Sequence, residues 1–176
     1  MNDLPLALHP PNPLIFLRPV SMDDVDDLLR HCWPDRTRPE VTRLVARAER
    51  IAAQGYGLGV VALEAEGVIG YGQCTNWPRC AEISDLAVWE PKRCQGIGTA
   101  IIQYLTQLAH QWGAREVELG VALDNQRALA LYRRLGFRDQ RQAHVDLNGV
   151  RTAVLYLRLA LAGSASGAVG RNAERW

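Results

Sequence analysis

Excess charge is missing from this chain of 176 residues: 20 Lys and Arg stand against 19 Asp and Glu, a formal net charge of +1. No overall basic field is present to attract nucleic acid, so an anionic ligand has to be bound by local groups. Cysteine is scarce and unpatterned. Cys32, Cys74, Cys80 and Cys94 form neither a CxxC pair nor a Cys/His set of zinc spacing, which argues against a metal site and for buried or incidental thiols. Long apolar runs are missing too. The most apolar stretch, AVLYLRLALA over residues 153–162, carries Arg158 and has about half of the ~20 residues that a membrane span requires; it reads as a strand. The opening MNDLPLALHPPNP has no basic segment and is broken by prolines, unlike a signal peptide. These absences point to a cytoplasmic protein with neither membrane nor nucleic acid among its partners. At this length one domain is expected, over residues 14–160, between an irregular arm (1–13) and a small, polar tail (161–176) that reads as disordered.

What is present alternates between strand and helix signals. Residues 15–20, IFLRPV, alternate as a first strand, and Ser21 with Asp24 makes a capping-box pattern for a helix to about His31. Thr37 with Glu40 caps a second helix, whose Val41, Leu44, Val45, Ala48, Ile51 and Ala52 share a face and which ends at Gln54 and Gly55. Residues 57–64 and 68–76 read as a hairpin across AEG, and 81–88 as a fourth strand. In that strand Ile83 and Leu86 are three apart and would fall on opposite faces; either a β-bulge near Leu86 reconciles them or both faces are buried. Ile97, Ile101, Leu105, Leu108 and Trp112 form a helical stripe ended by Gly113. Val117, Leu119 and Val121 alternate as a fifth strand, 125–135 is helical, and Phe137 begins a sixth strand joined by Asn148 and Gly149 to a seventh over 150–159. The expected fold class is α/β, more closely an α+β mixed sheet of about seven strands with four helices on its faces.

Two stretches carry chemistry. In RCQGIGTA, residues 93–100, glycines 96 and 98 precede a helix. A loop so placed can aim free backbone N–H groups at an anion, with the helix dipole adding positive potential. Lys92 and Arg93 can supply further charge to a phosphate. Two glycines can equally ease a turn. A dinucleotide fingerprint would need a third glycine where this chain has Ile101, and a nucleotide P-loop would need GKS or GKT, which is absent. In DNQRALALYRRLGF, residues 124–137, Asn125 and Tyr132 are seven apart and share a helix face with small Ala128 between them. Taken singly, Asn125 can be a helix cap and Tyr132 a core aromatic.

With both stretches in view, the chain resembles the acetyl-CoA-dependent N-acetyltransferases abbreviated GNAT. AEISDLAVWEP resembles that family's fourth strand, RCQGIGTA fits its RxxGxG or QxxGxG loop, and NQRALALYRRLGF resembles its following helix and strand. The likeness extends over residues 14–159, with its specific part in 82–137. It implies acetyl-CoA as co-substrate, with the pyrophosphate on Arg93, Cys94, Gln95, Gly96, Ile97, Gly98 and Thr99, and the pantetheine arm along Leu86, Ala87 and Val88. Strands four and five would splay there, and the cofactor would also meet Asn125, Ala128 and Tyr132. The Val88 N–H would face the tetrahedral oxyanion, and Tyr132 would be the general acid. Glu82 falls where some members carry a catalytic glutamate, with Asp85 or a water chain as alternatives; where others carry a glutamate on strand five, this chain has Gly120. The chemistry requires such groups on its own terms, because an amine arrives protonated and must lose a proton before it attacks a thioester, and the leaving thiolate takes one up. The resemblance implies transfer to a primary amine of a small molecule or peptide, and pairing of two copies through the last strands. A non-catalytic acetyl-CoA-binding domain is the alternative reading. Trp33, Asp35 and Glu40 stand near an expected acceptor site and Trp77 beside strand four, though each can equally be an ordinary loop residue or a hydrophobic plug.

Overall fold

Both capping boxes form. The Asp24 carboxylate accepts the Ser21 N–H at 2.9 Å, and Glu40 accepts the Thr37 N–H at 2.7 Å, which satisfies backbone donors that the helix itself cannot reach. The computed structural model of the chain describes residues 15–161 apart from 66, 79 and 148. The arm expected over 1–13, nearly all of the tail expected over 161–176, and Asn148 of the last turn lie outside these residues.

Strand β1 (Phe16–Pro19) leads into a first helical run, α1, over residues 22–32, followed by α2 (Arg38–Ala53). Strands β2 (Gly57–Glu64), β3 (Gly67–Trp77) and β4 (Cys80–Val88) come next, then α3 (Ile97–Gln111), β5 (Glu116–Ala122), α4 (Gln126–Arg134), β6 (Arg138–Leu147) and β7 (Val150–Ala160). Among the described residues the strands make one seven-stranded sheet in the order β1-β2-β3-β4-β5-β7-β6. The mixed sheet with four helical elements is the expected one.

The expectation of a continuous first helix is corrected. Met22–Asp24 is a 3-10 turn, Val25–Asp27 an α turn, and Leu28–Cys32 a π turn closed by the Trp33 N–H on the Leu28 carbonyl at 2.9 Å. Contacts to β3 and β4, distant in sequence, hold this shape.

Two apolar layers cover the two faces of the sheet. On one face α1 and α2 bury Val25, Leu28, Val41, Val45 and Ala48 against Val61, Val68 and Tyr71. On the other the stripe of α3, with Ile97, Ile101, Leu105 and Leu108 buried, packs with Leu129 and Phe137 on Val60, Ile69, Ile83, Val117 and Leu119. Each fully buried aliphatic side chain contributes roughly 1.5–3 kcal/mol relative to exposure, so both helical layers are fixed to the sheet.

The expected bulge is present. Tyr71 pairs with Ala87 and Gln73 with Ser84, so Asp85 and Leu86 together oppose Gly72. Asp85 adopts φ +54°, and the extra residue brings Leu86 onto the same face as Ile83, within 3.3 Å of where a Cβ on Gly72 would stand. Parallel pairing of β4 with β5 runs from Cys80 with Glu116 to Ile83 with Leu119 and stops. Beyond it the two strands splay.

Candidate active site

The loop before α3 is shaped by two residues with left-handed backbone, Cys94 at φ +63° and Gly96 at φ +85°. Gly96 is the helix N-cap, and the Ala100 N–H is the first to return to it, at 2.9 Å. The N–H groups of Ile97, Gly98 and Thr99 therefore have no intrahelical partner and point out of the helix end. The two glycines have different reasons. Gly96 is required by its φ, whereas a Cβ at Gly98 would make only ordinary contacts, 3.6 Å from Leu131 and 3.7 Å from Val88. The fold tolerates a side chain at 98; an anion approaching the N–H groups would not.

Val88 ends the bulged strand beside this loop. The Trp89 N–H donates to the Ile69 carbonyl at 2.9 Å, and Val88 faces Gly70 one position earlier. Residues of an antiparallel ladder turn toward the partner and away from it alternately, so the Val88 N–H points away from β3 into the splay. Its carbonyl, on the same edge, accepts Arg93 Nε at 3.2 Å.

Tyr132 reaches the same place from α4. It is 7% exposed, and among the described residues its hydroxyl has no protein partner. Burial pushes its phenol up from 10.0 to about 12, because an apolar surround disfavours phenolate. Asn125 accepts the Ala128 N–H on Oδ1 at 3.1 Å, so it caps α4 and leaves its amide N–H groups for a ligand.

One cleft of about 780 Å³ joins these groups, lined by Leu86, Ala87, Val88, Arg93, Cys94, Gly96, Ile97, Gly98, Thr99, Asn125, Ala128 and Tyr132. It passes through the splay, since Cys32 and Trp33 line it from the layer of α1 on the opposite face of the sheet. Gln95 is outside the lining and braces the loop by donating Nε2 to the Pro91 carbonyl at 3.2 Å. Lys92 lines the cleft, but its ammonium lies 2.5 Å from Glu64. Arg127 and Arg134, which the sequence reading missed, stand on the lining instead. Their spacing of seven on the helix of Tyr132 was the available signal. Arg127 donates to Cys94 Sγ at 2.7 Å.

Glu82 and Asp85 stand outside the lining. Glu82 lies in the last paired stretch, between Thr75 and Glu118 in register, and accepts the Trp77 indole N–H at 3.2 Å. Glu118 is held by Arg158 at 2.7 Å and Arg141 at 3.3 Å, so Glu82 is the carboxylate of the adjacent pair with no basic partner among the described residues. Asp85, at the bulge, accepts the Ser84 hydroxyl at 3.2 Å. Gly120, the first β5 residue past the last pair, bears on the Tyr156 ring, 3.2 Å from where its Cβ would be.

Residues 22–137 match the model of the Acetyltransferase (GNAT) family. The chain belongs to that family. Among curated relatives it is 37% identical over 79 residues to an uncharacterized N-acetyltransferase of Methanocaldococcus jannaschii, covering 41% of this chain and 35% of the relative. It is 34% identical over 120 residues to the mycothiol acetyltransferase of Clavibacter sepedonicus, covering 68% of this chain and 33% of the relative. The chain thus spans about a third of the length of these two curated relatives. A Salmonella typhimurium protein solved with its cofactor acetyl-CoA superposes with a TM-score of 0.70 at 20% identity, over 87% of this chain and 97% of that one, a likeness of fold. Among the described residues of this GNAT chain no helix is long and apolar enough to cross a membrane.

Proposed function

We propose that the protein transfers the acetyl group of acetyl-CoA directly to a primary amine of a small molecule or peptide. The observation that carries the reading is the continuous cleft through the splayed strands, with an anion-binding helix end on one face of the sheet and a separate aromatic wall, Trp33, on the other. Such a passage lets two substrates meet from opposite sides.

In this reading the N–H groups of residues 97–99 and the guanidinium groups of Arg93, Arg127 and Arg134 bind the pyrophosphate end of the co-substrate. Leu86, Ala87 and Val88 carry the pantetheine arm, placing the thioester carbonyl at the Val88 N–H, which stabilises the oxyanion as it forms. Glu82, or Asp85, takes the ammonium proton through water. The amine nitrogen then bonds to the carbonyl carbon and gives up a second proton to water, the C–S bond breaks on collapse, the sulfur receives the proton of the Tyr132 hydroxyl, and the carboxyl group returns its proton to solvent. Solvent returns a proton to Tyr132, and the products are an amide and free CoA thiol. The burial that raises the phenol keeps it protonated at neutral pH, so its proton is present when the thiolate leaves.

Replacing Tyr132 with Phe removes the proton and keeps the ring. The expected result is a ~10²-fold fall in kcat, the scale of one general acid, with the acetyl-CoA Kd from calorimetry within about twofold of the parent. Turnover equal to the parent would remove Tyr132 from the chemistry. Acetyl-CoA binding without turnover of any amine by the parent would favour a sensor domain instead.

A further inference from the structure

The first helical run is joined to the sheet by polar atoms as well as by apolar packing, and those atoms meet at one place. Val68 lies where the register of β2 and β3 shifts, Leu63 facing Val68 and Ala62 facing Gly70, so that Ile69 has no partner residue in β2. Two side chains of α1 take up the Val68 backbone: Asp27 Oδ2 accepts its N–H at 3.2 Å, and His31 Nδ1 lies 2.7 Å from its carbonyl. A carbonyl only accepts, so Nδ1 carries the proton and donates. The imidazole then stacks on Trp89, with ring centroids 4.1 Å apart and planes 22° apart.

The sequence neighbours of those two rings give the cluster its meaning. Trp89 follows Val88, whose N–H faces the splay. His31 precedes Cys32 and Trp33, which line the cleft from the other face. His31 and Trp89 each stand one residue from the lining, so one half-buried ring links the two segments that carry the banks of the passage. The π turn of residues 28–32 widens the backbone where the ring is delivered, and such turns are rare and gather at functional sites. Packing alone does not ask for this residue, since a plain apolar side chain could cover Trp89 without bonding Val68.

We propose that His31 is a positioning residue, which fixes the spacing between the acceptor-side wall at Cys32 and Trp33 and the strand end at Val88 and Trp89. This inference rests on the acetyl-transfer reading and adds to it the element that aligns the acceptor. Trp33 is seated by the same arrangement, its ring edge-on to Tyr71 at 5.1 Å with the Arg36 guanidinium 4.9 Å above it. The N–H groups of residues 97–99 belong to the first turn of α3, on the face of the sheet opposite α1.

Three variants separate the contacts. His31→Phe keeps the stack and loses the bond to Val68, His31→Asn keeps a donor and loses the stack, and His31→Ala loses both. For His31→Ala, kcat/KM for the amine is expected to fall ~10- to 100-fold, the scale of a small misplacement of reacting groups, while the acetyl-CoA Kd stays within about twofold. His31→Phe should recover most of the loss and His31→Asn little, because the stack sets the spacing. Unchanged amine kinetics below the melting temperature, or an acetyl-CoA Kd weakened by the same factor as kcat/KM, would overturn the proposal. If His31→Ala does not fold, the Phe and Asn variants decide: parent kinetics in both overturns it. Should the parent turn over no amine, the transferase reading fails by itself. Amide hydrogen exchange then reads the contact without turnover: faster exchange at residues 33–36 in His31→Asn than in the parent supports it, and equal exchange overturns it.

Discussion

Nothing in the folded backbone requires glycine at 98, where a Cβ would meet Leu131 and Val88 at 3.6 and 3.7 Å. Gly98→Ala should therefore keep the parent's melting temperature to within about 2 °C, the range of a harmless surface change. A methyl group in front of the N–H groups of 97–99 should weaken acetyl-CoA by ~10-fold or more, the worth of one charge-assisted hydrogen bond. Equal losses of stability and affinity would show that this glycine serves the fold. The four thiols make a second set of residue-scale expectations. Cys94 is exposed, whereas burial pushes Cys32 and Cys74 from 9.0 to about 12. At pH 8 a disulfide reagent should label Cys94 first, acetyl-CoA should slow that labelling, Cys32 on the cleft wall should react more slowly, and buried Cys74 only on unfolding. The same raised values fix a sign. A group whose native pKa lies above its unfolded value contributes stability below the unfolded pKa and loses it as pH rises through the native one. For Cys32 and Cys74 the loss runs from about pH 9 to 12, and for Tyr132 from about 10 to 12. The contribution of these groups to a melting curve should be level up to pH 9 and fall above it; in Cys74→Ala the fall above pH 9 should shrink, and an unaltered fall would contradict the assignment.

At the scale of elements, the bulge in β4 and the helix opposite it form one device. Gly72 faces the bulge, and a Cβ there would stand 2.5 Å from Ile101 Cγ2 and 3.1 Å from Leu105 Cδ1. Ile101 Cγ2 sits on a β-branched carbon and cannot swing away, so α3 would have to lift from β3 and carry its N-terminal loop with it. Gly72→Ala is expected to cost about 1–3 kcal/mol, the usual range for overpacking, and, unlike Gly98→Ala, to weaken acetyl-CoA and lower the melting temperature together. The spacing of Ile83 and Leu86 left two solutions, a bulge or two buried faces, and the resemblance to the family favoured the bulge that is found. The α3 stripe and both capping boxes were legible because each is a local pattern with one geometric solution. The π turn of 28–32 was not, since its causes, Val68 and Trp89, stand 37 and 58 positions from His31. The ion pair of Lys92 was not legible for a similar reason: Glu64, its partner, is 28 residues away. Asn125 was legible in both its roles, cap and cleft residue, and only coordinates could show that its oxygen serves the first.

Across the whole molecule, the sheet separates two compartments and the splay of β4 from β5 connects them. The α3 and α4 side supplies backbone N–H groups, arginines and a buried phenol; the α1 side supplies Trp33 and, along β4, the carboxylates of Glu82 and Asp85. A domain that only stored acetyl-CoA would need the first set and no passage to the second. The most direct measurement is the loss of thioester absorbance of acetyl-CoA on adding polyamines, amino acids, aminoglycosides or short peptides, a readout that the protein's own thiols do not disturb. The expected result is acceptor-dependent loss by the parent, sharply reduced in Tyr132→Phe, with the acetyl group recovered on the amine by mass spectrometry. Acetyl-CoA bound with parent affinity and consumed no faster with any of these amines than without them would contradict a two-substrate passage.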